Sequence, residues 1–148
     1  MIDTNLTVDQ LMTRDVITLS IESFVDKAVE IFAEHQFHHI PVVVERRIVG
    51  IISREDVRRV EHYFSIYKLK ESQDFNADFF YTLPVADIMT KQVAMLRPTD
   101  KVSVAAGIFR ENLFRALPIV NERKEPVGIL TTYDLLNYAY RVPLTLNE

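Results

Sequence analysis

Ser53 and Asp56 stand three residues apart at the end of VGIISRED, and Thr131 and Asp134 stand the same way at the end of VGILTTYD. In both stretches an apolar run containing a glycine leads into a hydroxyl, two residues and a carboxylate. A strand that turns directly into a helix would set the hydroxyl at the helix start. Free backbone N–H groups there await an anion or another acceptor. The aspartate then falls in the first helical turn, and a carboxylate accepting two hydrogen bonds side by side suits a ribose diol. The same pair is also an ordinary N-terminal capping arrangement. Both readings stay open, since one side chain can serve both.

The recurrence extends far beyond these pairs. A shift of 77 residues carries VDQLMTRDVITL, from Val8, onto VADIMTKQVAML, from Val85. It also carries Phe24–Arg46 onto Lys101–Arg123, and one extra residue near Glu125 then aligns the two VGI stretches. Only two copies exist and the period exceeds that of solenoid repeats, so two small domains that pack on each other fit better than an open array. Each copy reads β-α-β-β-α. In copy one, Val16–Leu19 is a short strand and Ile40–Val44 a second, opened by Pro41, with a return strand Ile48–Ser53 after the charged turn ERR. Val25, Ala28, Val29 and Phe32 form one helical stripe, as do Val102, Ala105, Ala106 and Phe109. Ser23 (with Asp26 three residues on) and Asp100 are the expected N-caps. A last helix starts near Arg54 and runs to about Leu69, and its counterpart starts near Thr132.

These segments set the expected boundaries: repeat one over 1–60 with its helix continuing to about 70, an aromatic-rich linker over 61–84, repeat two over 85–140 and a tail over 141–148. Val57, Val60, Phe64 and Tyr67 share one face of the long helix. Phe75, Phe79, Phe80 and Tyr81 add aromatic area. That area either covers core or forms a docking surface between subunits.

Of the 148 residues 48% are apolar, enough for a core, and the net charge is −4. A protein that grips nucleic acid through phosphates is basic, at least in a patch. Here the cations are scattered, so no nucleic-acid partner is expected. Absence of cysteine excludes disulfides and thiolate metal sites. The N-terminus lacks the basic and apolar regions of a signal peptide, and no apolar run reaches the roughly 20 residues that span a bilayer. A soluble, cytoplasmic protein without a membrane partner is expected. His35, His38 and His39 lack a firm carboxylate partner for a metal. Gly50, Gly107 and Gly128 are the only glycines, so no glycine-rich phosphate loop exists. No nucleophile-base-acid set stands out, and an enzyme is not expected. Gly107 replaces Glu30 inside a helix stripe, where close helix packing would explain it.

The ordered set V-x-x-h-M-T, h-P-V-V and V-G-h-h-[ST]-x-x-D, written twice, resembles a tandem pair of CBS domains, a Bateman module. The resemblance covers nearly all of the chain outside the linker and carries no attached catalytic domain, as in a standalone module. It implies an α/β (α+β) fold of two β-α-β-β-α repeats packed sheet to sheet about a pseudo-twofold axis. It also implies a cleft between repeats for AMP, ADP, ATP or S-adenosylmethionine, and a homodimer. An unknown protein target would receive the signal.

In nucleotide-binding members of that family, basic side chains often precede the strand proline. His38 and His39 hold that place in copy one, Arg115 and Ala116 in copy two. Arg115 is the better phosphate clamp, because guanidinium is always charged and forks onto two oxygens. Ile17 and Thr18, and Ala94 and Met95, occupy first-strand positions that line the base pocket in the family. Ala94 and Ala116 leave more room than Ile17 and His39. Two expectations follow: a regulatory sensor that binds its ligand through Ser53, Asp56, Thr131 and Asp134, or a ligand-free docking module working through its aromatic linker.

Overall fold

The computed structural model describes residues 3–68 and 77–141. These form two compact units. Unit I is Val16–Val93, and unit II joins Met1–Asp15 to Ala94–Glu148. The first fifteen residues therefore belong with the second sequence repeat, across the expected 1–60 boundary.

Unit I carries β1 (Leu19–Ser20), α1 (Val25–Glu34), β2 (His39–Val44), β3 (Arg47–Ser53) and α2 (Arg54–Lys68). Its sheet runs β1-β2-β3, with β1 parallel and β3 antiparallel to β2. The strands outside β1 match the expected ones to within a residue, while β1 is two residues long and starts at Leu19. Leu69 and Phe75 lie outside the described residues, as do the side chains of Phe64 and Tyr67. Glu45 and Arg46 turn the hairpin with both φ angles positive, 46° and 71°.

Unit II carries α3 (Val102–Arg110), β4 (Ala116–Val120), β5 (Pro126–Thr131) and α4 (Thr132–Ala139). The antiparallel β4–β5 pair stands where β2–β3 stand in unit I, and a single parallel bridge from Leu96 to Ile119 replaces β1. The extra residue of copy two sits in this hairpin. Lys124 takes the left-handed conformation there, at φ 62°, and the Asn121 side chain accepts from the N–H groups of Arg123 and Glu125. All of β4 is buried, as two-sided cover of an apolar strand requires.

Neither expected helix cap forms. The N-cap residues are Phe24 and Lys101, without side-chain cap bonds. Backbone carbonyls replace them: Val25 N donates to Leu83 O at 2.8 Å, and Val102 N donates to Leu6 O at 2.9 Å. Asp100 instead closes a turn by accepting from Arg97 N at 2.7 Å. The stripes fall as the spacing predicts: Val25, Ala28 and Phe32 are buried beneath α1 with Val29 half-buried, and Ala105 is buried beneath α3.

The repeated M-T segments explain two glycines. Thr13 exchanges backbone hydrogen bonds with Ile129, and Thr90 does so with Ile51. Met12 then lies over Gly128 and Met89 over Gly50. A Cβ built on either glycine would meet the methionine sulfur at 2.4 Å, far inside contact distance. Each M-T segment thus packs on the strand of the other sequence copy. Val8 and Met12 join Leu117, Ile119 and Leu130 in the unit II core, and Val85 and Met89 join Ile40, Val42 and Ile52 in that of unit I.

Phe80 is buried in the unit I core and Phe79 packs against it at 6.3 Å between ring centroids, half-buried. These two aromatics cover core, with Phe79 still partly exposed. Gly107 is exposed with open space around its missing Cβ, so packing within the described residues does not account for it.

Candidate functional site

The strand-to-helix corner has the same geometry in both units. In unit I, Ser53 N and Ser53 Oγ both donate to Asp56 Oδ2, at 2.8 and 2.9 Å, and Asp56 N donates back to Ser53 Oγ at 3.1 Å. In unit II, Thr131 N and Oγ1 both donate to Asp134 Oδ2 at 2.8 Å, and Asp134 N donates to Thr131 Oγ1 at 3.2 Å. The capping reading is therefore correct for both pairs. Two bonds fill the outward capacity of each Oδ2, so only Oδ1 is left to meet a ligand. Asp134 Oδ1 has no partner among the described residues. Asp56 Oδ1 has the exposed Arg59 guanidinium at 3.8 Å, a pairing that solvent weakens. A diol would have to place both hydroxyls on that single oxygen, rather than one on each.

The remaining candidates gather at the same end of each sheet. His39 stands opposite Ser53 across the β2–β3 ladder, and Ala116 opposite Thr131 across β4–β5. The first helical N–H is held by the residue before: Arg54 N donates to His38 O at 2.9 Å, and Thr132 N to Arg115 O at 3.2 Å. Ile17 and Thr18 precede β1, whose parallel register of Leu19 with Val42 brings them alongside the start of β2. Ala94 and Met95 precede Leu96, which bridges Ile119 in the same sense. Six candidates thus surround the corner in unit I and six the corner in unit II. His38 and Arg115 are exposed, Ala116 is buried, and the other candidates are half-buried. Arg115 has no side-chain hydrogen bond or ion pair among the described residues, so its full donor fork is available.

Sequence reasoning missed Arg54. Its guanidinium donates to the carbonyls of Phe37 at 2.8 Å, Phe32 at 2.5 Å and His35. It also lies 5.0 Å from the Phe32 ring centre. One cation thereby satisfies the free carbonyls at the end of α1 and ties them to the start of α2. The only signal was that copy two has Thr132 there. Without the arginine, unit II keeps an open apolar groove of about 330 Å³ lined by Ala106, Phe109, Arg110, Thr132, Leu135 and Leu136. His35 stacks on Phe37 at 4.9 Å. Among the described residues, no helix is long and apolar enough to cross a membrane.

Two α+β units with a capped hydroxyl–aspartate corner in each are a duplicated domain architecture, and family comparison agrees. The CBS domain model matches residues 8–63 and 85–141, and the chain belongs to that family as a tandem pair. The chain is similar to an inosine-5'-monophosphate dehydrogenase of Korarchaeum cryptofilum, 32% identical over 86% of this chain but 23% of that enzyme. It is 31% identical to protein MJ1225 of Methanocaldococcus jannaschii, over 93% of this chain and 48% of that one. The chain thus spans less than half of these relatives. The crystal structure of MJ1225 superposes with a TM-score of 0.78, at 29% identity over 93% of this chain and 49% of that one. That of CBSX2, solved in complex with AMP, superposes at 0.72, with 25% identity over 92% and 97% of the two chains.

Proposed function

We propose that this chain is a cytoplasmic regulatory module, without catalysis of its own, that binds an adenosine nucleotide at its hydroxyl–aspartate corners. AMP, ADP and ATP are the first candidates and S-adenosylmethionine a further one. The observation that carries the reading is the divided carboxylate: in both units Oδ2 holds the helix cap, while Oδ1 has no partner in Asp134 among the described residues and only the exposed Arg59 guanidinium, at 3.8 Å, in Asp56. A buttressed carboxylate with one open oxygen is a fixed acceptor for ribose hydroxyls, since the cap has already fixed its rotamer. The half-buried Ala94 and Met95 give the base an apolar wall in unit II, as Ile17 and Thr18 do in unit I. Arg115 supplies a phosphate fork in unit II, and His38 and His39 supply single ring donors in unit I. The two corners therefore differ in their grip on phosphate. The likeness to CBSX2, solved with AMP, supports the ligand class.

Thermal unfolding with AMP, ADP, ATP, S-adenosylmethionine and NAD tests the reading. A ligand at a hundred times its Kd adds about 2.7 kcal/mol of stability, so Tm rises with concentration. Asp134→Ala and Asp56→Ala should each remove one site's share, measured against the variant's own ligand-free Tm. Arg115→Ala should weaken the phosphorylated ligands and spare S-adenosylmethionine. If no adenosine compound shifts Tm at millimolar concentration, the proposal fails.

A further inference from the structure

The two units finish their first long helix differently, and the difference opens a groove in one of them. In unit I, α1 ends on His35 in extended conformation. The Arg54 side chain then takes up the carbonyls of Phe32, His35 and Phe37. Its guanidinium stands 5.0 Å from the Phe32 ring centre and so occupies the space over that ring. In unit II, Asn112 turns left-handed at φ 57°, and α3 closes its own carbonyls. Asn112 N donates to Phe109 O at 2.9 Å, and Glu111 N to Ile108 O at 3.2 Å. No cation is required from α4, and Thr132 stands where unit I has Arg54. Phe109, the counterpart of Phe32, therefore lines an open groove together with Ala106, Arg110, Thr132, Leu135 and Leu136. The groove measures about 330 Å³, at the small end of the range for ligand sites.

We propose that this groove binds a small amphipathic anion, an aliphatic carboxylate whose chain lies between α3 and α4 and whose head meets Arg110. The walls are almost wholly apolar, so burial of a hydrocarbon chain supplies the drive. The charge at the groove is that of Arg110. It is exposed and has no ion pair among the described residues. A guanidinium forks onto both oxygens of a carboxylate. A neutral chain would leave that fork unused, and a cationic one would meet a like charge. The carbonyls that hold a guanidinium in unit I are already satisfied at the matching helix end of unit II, so the groove makes no demand for a cation. Unit I offers no equivalent site, because Arg54 fills the space and Arg58 stands where unit II has Leu136. The inference rests on the groove alone and on no nucleotide.

Titration of the full chain with octanoate, followed by amide NMR, tests this. Shifts should gather on residues 106–110 and 132–136 and spare the aligned 29–33 and 54–58. From butanoate to octanoate, each added methylene should tighten binding by up to about fourfold. Octanol should bind about two- to fivefold more weakly than octanoate, as a rim charge pair allows, and octylammonium more weakly still. Arg110→Glu should reverse that order, so that octylammonium binds better than octanoate. Arg110 is exposed, and an unchanged circular dichroism spectrum checks that the variant is folded. Ala106→Leu fills the groove from α3 with a good helix former and should abolish the octanoate shifts. Four results would each overturn the proposal: no saturable shift at millimolar octanoate, shifts that fall equally on unit I, an unreversed order in Arg110→Glu, or octanoate binding that survives Ala106→Leu. A groove covered by another protein chain would give the first of these.

Discussion

At the scale of the residue, what could be read depended on how far the partners lie apart in the chain. Ser53–Asp56 and Thr131–Asp134 were legible because each pair is complete within four residues and hydrogen-bonds itself. Their division of labour between two carboxylate oxygens was not, since it depends on the rotamer that the cap imposes. Arg54 was illegible for the opposite reason. Its partners lie 17 and 22 residues earlier, and no local pattern ties an arginine to carbonyls at that distance. Its role makes a clear expectation. Arg54→Ala leaves the carbonyls of Phe32, His35 and Phe37 without their donor, which should cost about 1–3 kcal/mol. Arg54→Lys should recover little, because an ammonium cannot reproduce a planar fork over three acceptors. Urea denaturation of the two variants checks this, and a lysine variant as stable as the wild type would assign the effect to charge alone.

At the scale of the element, local pattern placed β2 and β3 to within a residue, while β1 starts three residues after the expected Val16. The stripes on α1 and α3 followed from i, i+3, i+4, i+7 spacing. The N-caps of those helices were misread because the donors at Val25 and Val102 are satisfied by Leu83 and Leu6, segments that no local motif announces. The β2–β3 hairpin shows local sequence and local geometry in conflict. Two-residue turns of this hand favour Asn-Gly, because both central residues take positive φ. Here Glu45 and Arg46 do so at 46° and 71°, a conformation that burdens side chains bearing a Cβ. Replacing Glu45→Asn and Arg46→Gly together should therefore raise stability by about 1 kcal/mol, by relieving that strain. The change should appear as a higher urea midpoint with an unchanged slope. Both side chains are exposed, so no packing is lost to offset the gain.

At the scale of the whole molecule, the duplication was plain in the sequence but the partition of the chain was not. Two copies in register suggest two domains cut between them. The units instead exchange their opening segments, because an M-T segment finds its glycine seat in the other copy. Gly128 receives Met12 and Gly50 receives Met89, and a glycine in a strand marks just such a close approach. Nothing in the copies could say which seat each methionine takes, since the two segments and the two seats are nearly identical. The exchange has a consequence that a cut between repeats would not produce. Met12→Ala removes a buried side chain from the cluster with Leu117, Ile119 and Leu130, a loss that costs about 2–5 kcal/mol in a well-packed core. Its first effect should fall on unit II, so amide exchange should accelerate in β4 and β5, more than a hundred residues further along the chain, before it does in β2 and β3. Met89→Ala should do the reverse, loosening β2 and β3 while β4 and β5 keep their protection, because locally cooperative regions open with their own free energies. Hydrogen exchange read by mass spectrometry separates the two patterns. Faster exchange in β2 and β3 on Met12→Ala would mean that the segments do not cross between copies.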